Sequence, residues 1–178
     1  ERLVQRGVVH GIHTLEGARV AVQGYGNAGS IAARLFHDAG AIIVAVSDSR
    51  GGVVNDHGLD LDKLLSWKAE GHPVREFGGG TAVFHDELVG HPCDIWLPAA
   101  RPDVFTADNA ADVDARVVLP GANIAVTRAA DEVFFDREPG GAPPSTEREK
   151  TRRIFRRIYE DNVQGAFNTS LSFSQWTG

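Results

Sequence analysis

The sequence predicts an α/β fold, a mainly parallel sheet with helices on both faces, and three observations carry that expectation. A valine-rich run at 19–23 passes through a glycine-rich turn into a segment of helical pattern, as a buried strand followed by its crossover helix would. Apolar runs of strand length recur at 42–47, 94–97 and 116–119. Segments with helical spacing or loop chemistry separate these runs, and strands alternating with helices argue a parallel sheet covered on both sides.

In chain order, residues 1–12 have a helical look, with Leu3, Val4 and Val8 on or near one face. The first strand enters Gly24-x-Gly26-x-x-Gly29, and Ile31, Ala32, Ala33, Leu35 and Phe36 continue as a helix to about Ala39. Gly40 suits its C-terminal cap. The second strand runs from Ile42 to Ser47 and Asp48 closes it; 51–58 carries the signals of a small hairpin. Asp60 is a fair N-cap for a helix over 61–68, with Leu61, Leu64, Leu65 and Lys68 spaced for one side. Residues 71–81 contain three consecutive glycines and read as a loop. The third strand is followed by Pro98-Ala99-Ala100, and Thr106 is expected to cap a short helix through Ala111. The fourth is followed by Pro120-Gly121-Ala122-Asn123, after which Thr127 caps a helix over 128–135. Residues 137–146 are rich in proline and glycine and read as a connector. Beyond them, 147–159 reads as a helix with an apolar stripe of Ile154, Phe155 and Ile158, its arginines a solvated face.

The glycine spacing carries the first functional reading. Gly24 allows a tight exit from the strand, Gly26 lets backbone approach a pyrophosphate, and Gly29 lets the helix pack closely on the sheet. Backbone N–H groups at the helix start would face the phosphates, with the helix dipole adding attraction. Strand before, helix after and an acid at the end of the next strand are the context this fingerprint requires. Asp48 lies 19 positions after Gly29, close to the offset at which an acid meets the adenine ribose. Two readings of Asp48 stand together, because residues 48–52 are also good turn chemistry. An acid at the ribose favours NAD, whereas Arg50 offers a counter-charge to a 2′-phosphate; NAD is expected, with NADP the alternative. Ligands on such sheets sit beyond the carboxyl ends of the strands, where the fingerprint, Asp48, Ala99, Ala100 and Asn123 all fall. The division expected is a doubly wound, Rossmann-type dinucleotide-binding domain over 1–136, a connector over 137–146 and a helix with tail over 147–178.

Composition excludes several alternatives. A chain of 178 residues suffices for one domain with its own core, and a net charge of −6 argues against general nucleic-acid binding. No apolar run reaches membrane-spanning length, and the first residues lack the apolar centre of a secretory signal. One cysteine, Cys93, precludes an internal disulfide framework and suits a reducing, cytoplasmic setting; its strand neighbours mark it as a small core residue. Seven scattered histidines form no metal-binding spacing, so no metal is expected. There is no methionine, so residue 1 reads as the start of a processed product or of a piece of a longer chain.

With these motifs assembled, the chain resembles the cofactor-binding domain of the glutamate/leucine/phenylalanine/valine dehydrogenase family, with glutamate dehydrogenases the most similar. The resemblance rests on residues 20–29 (VAVQGYGNAG), 45–49 (AVSDS), 51–60 (GGVVNDHGLD), 93–100 (CDIWLPAA) and 121–123 (GAN), and covers about residues 7–136. It implies that Asn27 and Ala28 hold the pyrophosphate, Asp48 and Ser49 the adenosine ribose, and Ala99, Ala100 and Asn123 the nicotinamide ribose. It further implies oxidative deamination of an L-amino acid, most readily glutamate, by a homo-oligomeric whole protein. In this family a separate N-terminal domain supplies the catalytic lysines and aspartate, and a glycine-rich segment lines the substrate cleft. This chain matches neither, so it is expected to hold the dinucleotide without turning over an amino acid. A stand-alone dinucleotide-binding or regulatory module, or a remnant without catalysis, is the alternative.

Overall fold

Valine-rich β1 (Arg19–Gln23) is the central strand of a six-stranded sheet ordered β4-β3-β2-β1-β5-β6. The computed structural model describes residues 14–122 and 125–136. After β1 come α1 (Asn27–Asp38), β2 (Ile42–Asp48), β3 (Gly51–Val54), α2 (Leu61–Ala69) and a 3-10 turn (Val74–Glu76). Then follow β4 (Thr81–Val83), α3 (His85–Val89), β5 (Cys93–Pro98), a second 3-10 turn (Ala110–Asp112), β6 (Ala115–Val118) and α4 (Arg128–Asp136). Parallel pairing joins β2 to β1, β1 to β5 and β5 to β6, while β3 and β4 add to the β2 edge as antiparallel strands. The chain leaves β1 toward β2 and later returns to β1's other side as β5. This makes β1 and β5 the point where strand order reverses, the crevice that ligands of open α/β sheets occupy.

The sheet separates two apolar layers. On one side Val20, Val22, Ile43 and Val46 pack with Ala33, Leu61, Leu64 and Phe77. On the other, Ala21, Ala45 and Trp96 pack with Leu88, Phe105, Val113 and Ala130, and Trp96 meets Phe105 edge-on at 4.9 Å between ring centroids. Cys93 is buried in this second layer, and desolvation pushes its thiol up to about 12.

One irregularity positions the site. The β1–β2 register shifts between Val20 and Ala21, so that Val20 opposes Ile43 while Ala21 opposes Ala45. Val44 is the extra residue, a bulge of a kind uncommon in parallel pairs. Consecutive Val44 and Ala45 both face the second layer, and Val46 returns to the first. Strict alternation from Ile43 would have turned Asp48 away from α2; the bulge turns it toward α2.

Several local expectations are corrected. The hairpin lies earlier than expected: Gly51–Val54 folds back on β2 itself, through a turn at Ser49 and Arg50. The 71–81 loop contains a 3-10 turn and the first residue of an edge strand. Thr106 starts no α-helix, because Asn109 folds back to accept its amide and to donate to the Val104 carbonyl, leaving only a 3-10 turn. Leu65 is exposed although Leu61 and Leu64 are buried, since α2 turns position 65 away from the sheet. Ile31 and Leu35 are likewise exposed, and Ala33 faces inward. The expected segments at 1–12 and 137–178 lie outside the described residues.

Candidate functional site

The β1–α1 turn is built from backbone. Gly24, at φ +94, adopts a conformation that L side chains rarely enter, and a Cβ there would lie 2.6 Å from the Ala100 Cβ. Its amide and that of Tyr25 both donate to the Ser47 carbonyl, at 2.9 and 2.6 Å, which ties the turn to the end of β2. A Cβ on Gly29 would overlap the Gly24 carbonyl oxygen, so α1 approaches the strand as closely as it does only with glycine there. Gly26 differs: among the described residues nothing lies within 4 Å of a Cβ placed on it, and Gly26, Asn27 and Ala28 are all exposed. Gly26 is the N-cap of a 12-residue helix, no side chain among the described residues caps it, and the helix's first turn holds no acid. Unpaired N–H groups and the positive end of the helix dipole therefore face open space. This cradle fits the pyrophosphate of a dinucleotide.

Other predicted residues gather on the same edge. The Ala99 amide donates to the Gln23 carbonyl at 2.8 Å, and Ala100 packs on Gly24. Gly121 and Ala122 amides both donate to the Pro98 carbonyl, which brings the segment after β6 against the segment after β5. Asn123 lies outside the described residues. Two polar atoms on this edge were not singled out from sequence: Gln23 Oε1 and Ser47 Oγ are buried without a hydrogen-bond partner among the described residues, on residues paired across β1 and β2. Gln23 directly precedes the first fingerprint glycine, which is the one signal that would have pointed to it.

Asp48 is more engaged than a free ribose ligand would be. Its Oδ1 accepts the Arg50 amide at 2.9 Å, and its Oδ2 accepts the Lys68 ammonium at 2.6 Å and the Val74 amide at 3.0 Å. Burial, the largest single influence, opposes its ionisation. The Lys68 ammonium and the amides of Val74 and Arg50 outweigh that, holding its carboxyl below the usual range. Ser49 and Arg50 occupy the exposed β2–β3 turn. Lys68, read from sequence only as one side of the 61–68 helix, and Arg75 reach this turn from 20 and 27 residues downstream of Asp48, so local spacing does not link them to it. Among the described residues, no group of three or more His, Cys, Asp or Glu side chains is placed to hold a metal ion, and no helix is long and apolar enough to cross a membrane.

A family model described as Glutamate/Leucine/Phenylalanine/Valine dehydrogenase matches residues 3–143. The chain belongs to that family. Among its relatives is a protein of Saccharolobus shibatae named NADP-specific glutamate dehydrogenase, 40% identical over 123 residues, which are 69% of this chain and 29% of the relative. Among solved structures, a hetero-hexameric glutamate dehydrogenase from Thermus thermophilus superimposes with a TM-score of 0.66 at 30% identity, over 79% of this chain and 32% of that one. A glutamate dehydrogenase from Peptoniphilus asaccharolyticus gives 0.57 at 25% identity, over 76% and 30%. This family member thus spans under a third of the length of these relatives.

Proposed function

We propose that this chain is the dinucleotide-binding part of an amino-acid dehydrogenase, glutamate being the substrate class to test first. The observation that carries the reading is the contrast within one turn. Gly24 and Gly29 are required by protein contacts, while Gly26 faces open space at an uncapped helix N-terminus. Neither crowding nor a positive φ requires glycine at position 26, which leaves the backbone at the helix N-terminus accessible to an approaching ligand. Gly24, Gly26, Asn27, Ala28 and Gly29 would hold the pyrophosphate, Asp48 and Ser49 the adenosine ribose, and Ala99, Ala100 and Asn123 the nicotinamide ribose. The chemistry such a cofactor would supply when bound is acceptance of a hydride from an amino acid's α-carbon, for overall conversion with water to a 2-oxo acid and ammonia. The chain's own part is to bind and orient that cofactor; binding and activating the amino acid falls to regions this chain does not match.

Assembly belongs to the same reading, since the Thermus relative is hetero-hexameric, as does a cytoplasmic setting, which a single buried thiol suits. The fingerprint rule favours NAD through Asp48, whereas the Saccharolobus relative is NADP-specific. The choice turns on whether the charge of Asp48 is free to repel a phosphate.

Calorimetric titration with NADH and NADPH, beside an assay with glutamate, leucine, phenylalanine and valine, tests the proposal. Saturable binding of a dinucleotide without amino-acid-dependent reduction is expected of the isolated chain. Failure to bind either dinucleotide contradicts the reading. Turnover of an amino acid would show that catalysis was wrongly assigned to other regions.

A further inference from the structure

The end of β2 carries a charge arrangement that the fingerprint rule does not anticipate. Asp48 and Lys68 side chains are only 12% and 25% exposed and meet at 2.6 Å. At that distance and burial their charges largely cancel as felt by a third group beyond them. Two acceptor positions on Oδ2 and one on Oδ1 are taken. A carboxylate offers about four such positions, so Oδ1 retains room for one ribose hydroxyl.

Beside this pair lies a cleft of about 290 Å³ lined by Arg50, Pro73, Arg75, Glu76 and Ala82. Arg75 is held in place, its guanidinium 3.9 Å from the centroid of the Phe84 ring. Its stem passes over Gly51, where a Cβ would come within 2.8 Å of the Arg75 Cδ. Among the described residues, neither Arg50 nor Arg75 pairs with a carboxylate, unlike Arg19, Arg34, Arg116 and Arg128. Three cations, Arg50, Lys68 and Arg75, therefore stand against two acids, Asp48 and Glu76. The Asp48 carboxylate further fixes the cleft through the amides of Arg50 and Val74, one in the turn that bears the first arginine and one directly before the second.

We propose that Lys68 determines cofactor preference. By neutralising Asp48 it leaves the Arg50–Arg75 cleft free to receive the 2′-phosphate of an adenosine, so that this chain takes NADP(H) in preference to NAD(H). The inference rests on the dinucleotide reading above and reverses the choice that Asp48 suggests from sequence. A phosphate monoester gains charge-assisted hydrogen bonds from arginine. It meets like-charge repulsion only if the carboxylate is uncompensated. Lys68 is here a positioning residue that acts through Asp48.

The test compares dissociation constants for NADPH and NADH in four proteins: wild type, Lys68→Met, Lys68→Arg and the double variant Asp48→Asn/Lys68→Met. Wild type should bind NADPH more tightly, with the steeper salt dependence of the two. Lys68→Met should weaken NADPH roughly tenfold relative to NADH, and Lys68→Arg should keep the wild-type ratio. If Lys68 acts by cancelling Asp48, the double variant recovers most of the lost NADPH preference. Loss of stability alone would weaken both dinucleotides together and leave their ratio unchanged. Arg75→Ala, a change at the rim of the cleft, should also weaken NADPH selectively. A wild type preferring NADH, or a ratio indifferent to Lys68→Met, overturns the inference and leaves dinucleotide binding standing. Binding of neither dinucleotide removes both.

Discussion

The ends of β1 and β2 lie side by side, joined by the Ser47 carbonyl that receives the amides of Gly24 and Tyr25, yet they are built on opposite principles. The β1 end is made of backbone and missing side chains, all within six residues, Gly24 to Gly29. The β2 end is made of long charged side chains from separate segments: Asp48 and Arg50 at the hairpin, Lys68 on α2 and Arg75 in a 3-10 turn. The first kind of surface is steric and tolerates no substitution where the backbone is crowded. The second is electrostatic, and each residue's effect depends on its partners.

The largest effect expected of any change is at Gly29. Because a Cβ there overlaps the Gly24 carbonyl, Gly29→Ala must push α1 from the sheet and should cost about 3 kcal/mol. Urea unfolding checks this, and an unchanged midpoint would mean the close approach is not needed. At the β2 end, Asp48→Asn removes the charge that gathers Lys68 and the Val74 and Arg50 amides. It should cost about 1–3 kcal/mol at neutral pH. Since the folded carboxyl titrates below its unfolded value, this stabilisation is present above about pH 4 and is lost as pH falls through the folded value. The gap between wild type and variant in unfolding experiments should therefore close in acid. A gap constant down to pH 2 would show that Asp48 stabilises by something other than its charge. The smallest effect belongs to Cys93, remote from both ends. With its thiol pushed up to about 12 by burial, alkylation by iodoacetamide at pH 8 should proceed only as fast as the protein opens. Rapid native-state labelling would contradict that burial.

The same contrast explains what could be read from the chain. The β1–α1 turn, the Asp60 cap that accepts the Lys63 amide and the Thr127 cap that accepts the Ala130 amide are local. Spacing over a few residues encodes each of them. The parallel direction of β1, β2, β5 and β6 was expected from strands alternating with helical or turn segments, while their order in the sheet was not. The antiparallel edge did not, because Thr81–Val83 is only three residues long and sits behind three glycines. Nothing in the apolar run 42–47 marks Val44 as a bulge, although that residue decides which side of the sheet Asp48 faces. The acid was therefore visible as a ribose candidate, and its lysine partner was not. Asn109, which cancels the expected helix at Thr106, shows the same limit: a side chain folding back three residues outcompetes helix capping.

The central claim is that the open glycine at the end of β1 serves a dinucleotide rather than the fold, and Gly26→Val tests it most directly. The backbone here is extended (φ −98, ψ −159), and among the described residues a Cβ meets nothing within 4 Å beyond its chain neighbours. The variant's unfolding free energy should lie within about 1 kcal/mol of wild type and its dinucleotide affinity should fall at least roughly tenfold, because the side chain stands where phosphate meets backbone. A Gly26→Val protein that binds as tightly as wild type would place the phosphates elsewhere and contradict the account.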